Sequence, residues 1–120
     1  MYYVYMLLCS DDSLYTGITP DLAHRMRQHT GQLKGGAKYT ALRPPKELAA
    51  VWTAADRSAA SKAEYAIKHL TAAQKRQLAA APDQITALVP RLAELELPAQ
   101  TGLTLQVLIA PTESDAVDKK

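Results

Sequence analysis

Apolar residues run almost unbroken from Met1 to Cys9, and tyrosine and valine give this stretch the length and composition of a β-strand. Ser10 to Ser13 is a polar break whose short side chains bond their own backbone, which is the chemistry of a turn. Leu14 to Thr19 reads as the returning strand. The period then lengthens. Leu22, Met26 and Leu33 mark the buried stripe of a helix from about Pro20 to Gln32, with Thr19 as N-cap and Pro20 at the first helical position. Lys34-Gly35-Gly36 stops it. Gly35 to Pro45 is a loop, and Lys46 to Ala54 is a third strand weakened by its alanines.

Asp56 or Ser58 caps a further helix through Leu70, on which Ala60, Ala63, Ile67 and Leu70 recur at helical spacing. Thr71-Ala72-Ala73-Gln74 has the capping-box pattern and opens a short helix to about Ala80. Beyond Pro82 the positions Ile85, Leu88, Val89, Leu92 and Leu95 keep a helical rhythm that Pro90 must kink or break. Leu103 to Ala110 has strand character, and the last ten residues are polar enough for disorder. The division that follows is a first unit over residues 1–80, an additional helical segment over 81–97, and a partly disordered extension over 98–120.

Parity leaves the first hairpin two registers. Residues two apart share a strand face, so Tyr3, Tyr5 and Leu7 lie together, as do Tyr15, Gly17 and Thr19. A connection of two or four residues would set Tyr5 opposite Ile18 and put Tyr15 on the other face. One of three or five residues, or a bulge, would pair Tyr5 with Gly17 and unite the tyrosines. A site using both phenols needs the second.

Composition narrows the class. A chain of 120 residues holds one core of ordinary size. The single cysteine, Cys9, excludes an internal disulfide and a cysteine-rich zinc site, and it fits as a small apolar residue in the first strand. No stretch is long and apolar enough to span a bilayer, and the N-terminus lacks a leader pattern, so the chain reads as cytoplasmic. Through Ala80 there are 11 Lys and Arg against 6 Asp and Glu; beyond it there are 3 against 6. A basic body with an acidic tail suits a polyanion ligand.

Arg25 and His29 stand four apart and so share a helix face. Together with Tyr3-Val4-Tyr5, Tyr15-Thr16-Gly17, Asp21-Leu22, Gly36-Ala37-Lys38-Tyr39-Thr40 and the helix bearing Glu64, they form an ordered set. That set resembles the GIY-YIG endonuclease family, and within it the small stand-alone bacterial members of the UPF0213-like group. The resemblance covers roughly the first two thirds of the chain. It implies an α+β fold, with a three-stranded antiparallel sheet flanked by helices. It also implies a metal-dependent DNA endonuclease that hydrolyses phosphodiester bonds, selects structure rather than sequence and serves repair or recombination.

Roles follow from the same resemblance. Glu64 corresponds to the carboxylate ligand of a divalent cation, Mg²⁺ or Mn²⁺, since a lone hard oxygen ligand leaves such an ion mostly hydrated. Arg25 corresponds to the clamp on the scissile phosphate, His29 to a phosphate or proton-transfer contact, and Tyr5 and Tyr15 to the pair that positions or deprotonates water. Gly17, Arg27, Lys34, Lys38, Tyr39 and Lys68 are the expected substrate contacts, with Arg43 and Lys46 added to the basic face. Three departures stand out. Tyr3 replaces the first glycine of the family name, Thr30 follows the histidine where asparagine is common, and the chain has no asparagine at all.

Taken singly, each of these residues has an ordinary explanation. Strand tyrosines usually pack, Arg25 would be a solvated helix charge, and Glu64 would pair with Lys68 at i+4. Tyr2, Tyr3 and Trp52 are read as packing residues, and His24 and His69 as surface. The rival function is a nucleic-acid-binding or adaptor module that keeps the site and turns over poorly. No motif residue lies past Glu64, so truncation after Leu97 is expected to spare the chemistry, and the extension offers a place for a protein partner. Oligomeric state is left open.

Overall fold

The computed structural model describes residues 1–110; the expected disorder of the last ten lies outside them. Three strands, β1 (Tyr2–Cys9), β2 (Leu14–Thr19) and β3 (Pro45–Ala54), form an antiparallel sheet in the order β2-β1-β3. With helices on both faces this is the α+β class implied by the resemblance. Tyr5 pairs with Gly17, the register that unites the tyrosines. The turn explains it. Cys9 N–H donates to Ser13 O and Asp12 N–H donates to Cys9 O, both at 2.9 Å, leaving a three-residue loop with Asp12 left-handed at φ 66°. A three-residue loop ending in that conformation is a standard hairpin connection, and aspartate tolerates it better than most side chains.

Helix α1 spans Leu22–His29 and is shorter than the periodicity suggests. Asp21, not Thr19, is its N-cap, accepting from His24 N–H at 3.1 Å. The Thr19 hydroxyl instead braces Asp21, accepting its N–H and donating to its carbonyl, so Pro20 lies outside the helix. Gly31, at φ 86°, follows the Thr30 cap and ends the helix before Gln32. Leu33 therefore lies beyond the helix and is 39 % exposed. The loop before β3 holds a short helix, α2 (Lys38–Leu42), which the sequence pattern did not show.

Helix α3 (Arg57–Lys68) starts at the Asp56 cap, and α4 (Ala72–Ala80) at the Thr71–Gln74 capping box. Past Pro82 a 3-10 turn leads into α5 (Ile85–Leu88), and Pro90 opens a second 3-10 turn. The expected strand over Leu103–Ala110 is instead a helix, α6 (Leu105–Ile109), capped by the Thr104 hydroxyl. Sheet pairing falls earlier. Thr53 N–H donates to Pro98 O and Gln100 N–H to Val51 O, so residues 98–100 cover the outer edge of β3.

The sheet separates two cores. On one face Val4, Met6, Ala50 and Trp52 meet Ala60, Ala63, Ala66 and Ile67 of α3, with Leu78, Ile85, Val89, Leu92 and Leu97. The Trp52 indole N–H donates to Pro82 O at 2.8 Å, locking the segment after α4 beneath the sheet. On the other, Tyr5, Leu7, Cys9 and Val51 meet Leu22 and Met26 of α1 and Leu105 of α6. Truncation after Leu97 would thus uncover part of the core that holds Tyr5, since Leu103, Leu105, Leu108 and Ile109 pack there.

Candidate active site

Strand β1 brings Tyr5 to the centre of the sheet, where it is only 1 % exposed. Its ring lies across Gly17: a Cβ there would stand 2.6 Å from the Tyr5 Cζ and overlap the hydroxyl. Glycine is therefore required by close approach. Tyr15, two residues before Gly17 on the same strand face, sits 6.5 Å from Tyr5 between ring centroids. His29, on the last turn of α1, faces both rings edge-on, with centroids 5.6 Å from Tyr5 and 5.2 Å from Tyr15. The Tyr5 hydroxyl and His29 Nε2 are 2.6 Å apart. His29 Nδ1 lies 2.8 Å from the Thr40 hydroxyl.

Burial sets the charge states here. It draws the His29 pKa down to about 4, with the Arg25 charge adding to the effect, so the imidazole is neutral at pH 7. It pushes the Tyr5 phenol well above the ordinary tyrosine value, against the opposing pull of the Arg25 guanidinium. The Glu64 charge also raises Tyr5, so a carboxylate from α3 and a guanidinium from α1 both act on one hydroxyl. Arg25 is half-buried and fixed: its Nη1 donates to Gln28 Oε1 at 2.8 Å and to Gly35 O at 2.9 Å. Gln28 Nε2 in turn donates to Lys34 O at 3.1 Å.

The other expected contacts divide. Tyr39 belongs to the cluster, stacking on Tyr15 at 5.5 Å and donating its hydroxyl to Ser13. Lys34 and Lys38 are exposed on the loop around α2. Arg27 donates to Ala110 O at 3.3 Å, toward α6. Lys68 pairs with Glu64 at 3.4 Å, and the Glu64 side chain is 26 % exposed. Arg43 and Lys46 serve the hairpin turn instead, pairing with Asp11 and Asp12, and Arg43 also lies 4.5 Å over the Tyr39 ring. Two residues to which the sequence assigned no role hold this arrangement, Gln28 and Thr40. Gln28 carries a signal, three positions from Arg25 on one helix face. Thr40 carries one only as the last residue of the Gly36–Thr40 motif, and its contact with His29, eleven residues away, has no local signal.

Residues 1–77 match the family model described as the GIY-YIG catalytic domain. The chain belongs to the GIY-YIG family. That domain is the catalytic unit of nucleases that act on DNA. Among curated relatives, the chain is 46 % identical over 83 residues to the UPF0213 protein DP2720 of Desulfotalea psychrophila, covering 69 % of this chain and 74 % of that one. It is 49 % identical over 81 residues to a UPF0213 protein of Cronobacter sakazakii, covering 66 % and 81 %. A solution NMR structure of the UPF0213 protein BH0048 from Bacillus halodurans aligns over 72 % of this chain and 94 % of that one, at 33 % identity and a TM-score of 0.44. No helix among the described residues is long and apolar enough to cross a membrane.

Proposed function

We infer that this GIY-YIG protein is a metal-dependent endonuclease of the cytoplasm, hydrolysing phosphodiester bonds of DNA with preference for structure over sequence, in repair or recombination. The observation that carries the reading is the meeting at Tyr5: a buried phenol bonded to a neutral histidine, with the Tyr15 ring beside both and the Arg25 guanidinium acting on its charge state. Perturbed titrating groups gathered in this way are a mark of catalytic sites. The nuclease unit is assigned to residues 1–80, with 81–97 and 98–110 as additions that pack against its cores.

Glu64 is the residue that would hold the cation. Its hard oxygen donors and partial exposure suit Mg²⁺ or Mn²⁺. No group of three or more His, Cys, Asp or Glu able to hold a metal occurs among the described residues. A single carboxylate at Glu64 would hold an ion that keeps most of its water. When bound, the cation supplies charge neutralisation at the phosphoryl oxygens. Arg25 clamps the scissile phosphate, its fork held by Gln28 and Gly35. Tyr15, half-buried at the rim, orients the attacking water. Tyr5, held by His29, is the second phenol of the pair that positions it. Lys34, Lys38 and Arg27 contact the flanking backbone, where phosphate contacts fix position without reading sequence.

A binding module with slow turnover is the second reading. It is favoured by the Glu64–Lys68 ion pair and by the lack of any asparagine. Cleavage of plasmid and branched DNA with Mg²⁺ or Mn²⁺ separates the two. Glu64→Gln is expected to retain fold and DNA binding while the cleavage rate falls by at least about a hundredfold, or ~2.7 kcal/mol of barrier. Equal cleavage by parent and variant would sink the nuclease assignment of Glu64.

A further inference from the structure

The Thr40 hydroxyl has one proton, and a carbonyl stands ready to accept it: Ala37 O, at the N-cap of α2, 3.1 Å away. With that proton committed, the oxygen faces His29 Nδ1 at 2.8 Å as an acceptor. A neutral imidazole carries one N–H. Placed on Nδ1, it leaves Nε2 as a bare lone pair 2.6 Å from the Tyr5 hydroxyl, which must then be the donor. All three groups are buried: Thr40 is 2 % exposed, His29 4 % and Tyr5 1 %. No solvent competes for these bonds, and this arrangement of protons gives each of them a donor and an acceptor, the Tyr5 proton included.

We propose that Thr40 is a positioning residue, which fixes His29 as the Nδ1–H tautomer and so holds Nε2 as the hydrogen-bond acceptor that orients the Tyr5 hydroxyl. No proton is transferred: burial keeps the phenol and the imidazole neutral, the Tyr5 proton stays on its oxygen and is held by Nε2, and the His29 proton is held at Nδ1 by Thr40. The opposite tautomer would point an N–H at Tyr5 and leave the phenol proton no acceptor there. The scaffold supports the assignment. Helix α2 is tied to the hairpin through Tyr39, which bonds Ser13 and stacks on Tyr15, while Arg43 pairs with Asp11 at 3.0 Å. Thr40 is thereby carried to His29 by a short helix anchored on both sides.

The tautomer claim stands on geometry alone, whereas its consequence for rate rests on the nuclease reading, and the two are measured separately. Long-range ¹H–¹⁵N correlations at the His29 ring of the full chain at pH 7 give the tautomer directly. The parent should carry its proton on Nδ1. Thr40→Val, which replaces the hydroxyl by a methyl, should shift the proton toward Nε2. It should also lower kcat for plasmid nicking with Mg²⁺ by at least about tenfold while KM stays within about twofold. Thr40→Ser should restore both readouts. A parent proton on Nε2 overturns the proposal without any variant, as does Thr40→Val with tautomer or kcat unchanged. Should Thr40→Val fail to fold, Thr40→Ala is read against the same outcomes. A parent that cuts no DNA overturns the nuclease reading instead, and the NMR comparison still decides whether Thr40 sets the tautomer.

Discussion

The two faces of the sheet are built by different physics. Beneath it, α3 closes on Val4, Met6 and Trp52 through Ala60, Ala63 and Ala66, and almost every buried side chain there is aliphatic. Above it, an apolar floor of Leu7, Cys9, Leu22 and Met26 carries a chain of buried polar groups, Tyr5, His29 and Thr40, each satisfied by the next. The lower face tolerates changes that keep volume, because packing is not directional. The upper one depends on single atoms, because an unpaired buried donor or acceptor costs its full desolvation. The difference teaches where function can be placed. Small side chains below let α3, the helix that carries Glu64, pack against the strands.

The largest effect should come from breaking the lower face alone. Leu78→Ala opens a cavity in a fully buried position and is expected to cost about 2–5 kcal/mol of unfolding free energy. Cleavage per folded molecule should be unaltered well below the melting temperature. A fall in specific activity without unfolding would mean the two faces are not separable.

Acid sharpens the comparison from the other side. The unfolded His29 titrates near its ordinary 6.5, whereas the folded group is held down at about 4. Below 6.5 the unfolded chain takes up a proton that the folded chain refuses. The stabilisation is therefore complete above 6.5 and drains away as pH falls toward 4, to a ceiling of about 3 kcal/mol. Denaturant melts of the parent and of His29→Gln between pH 7 and 4 should converge on acidification. Parallel curves would show that the buried imidazole is not the acid-labile element.

Gly17→Ala tests the close approach at smaller cost. The added methyl must displace the Tyr5 ring, with an expected penalty of about 1–3 kcal/mol. Loss of the Tyr5–His29 bond should show as an altered His29 ring signal by NMR. An unmoved signal would mean that the sheet yields instead of the phenol.

Much of this was legible in the chain. Periodicity located all three strands, the capping box of α4 and the helix carrying Glu64, since each rests on side chains within a few residues of one another. It erred where distant contacts decide. The α1 boundaries moved because Thr19 braces Asp21 and Gly31 takes the left-handed position. Leu103 to Ala110 looked extended, but its apolar residues fold as α6 against α1 under the Thr104 cap.

The chain by itself determined the alternation of β1 and β2, the order of their tyrosines, and the pairing of Arg25 with His29 on one helix face. These depend only on the geometry of a single strand or helix. The hairpin register was settled by the left-handed Asp12 in a three-residue loop. The partner of His29 was settled by α2, which no local pattern announces. Tertiary structure also gave Arg43 and Lys46 to the turn carboxylates instead of the exposed basic face. Such choices are made by groups far apart in sequence, whose contacts form only once the chain has closed around them.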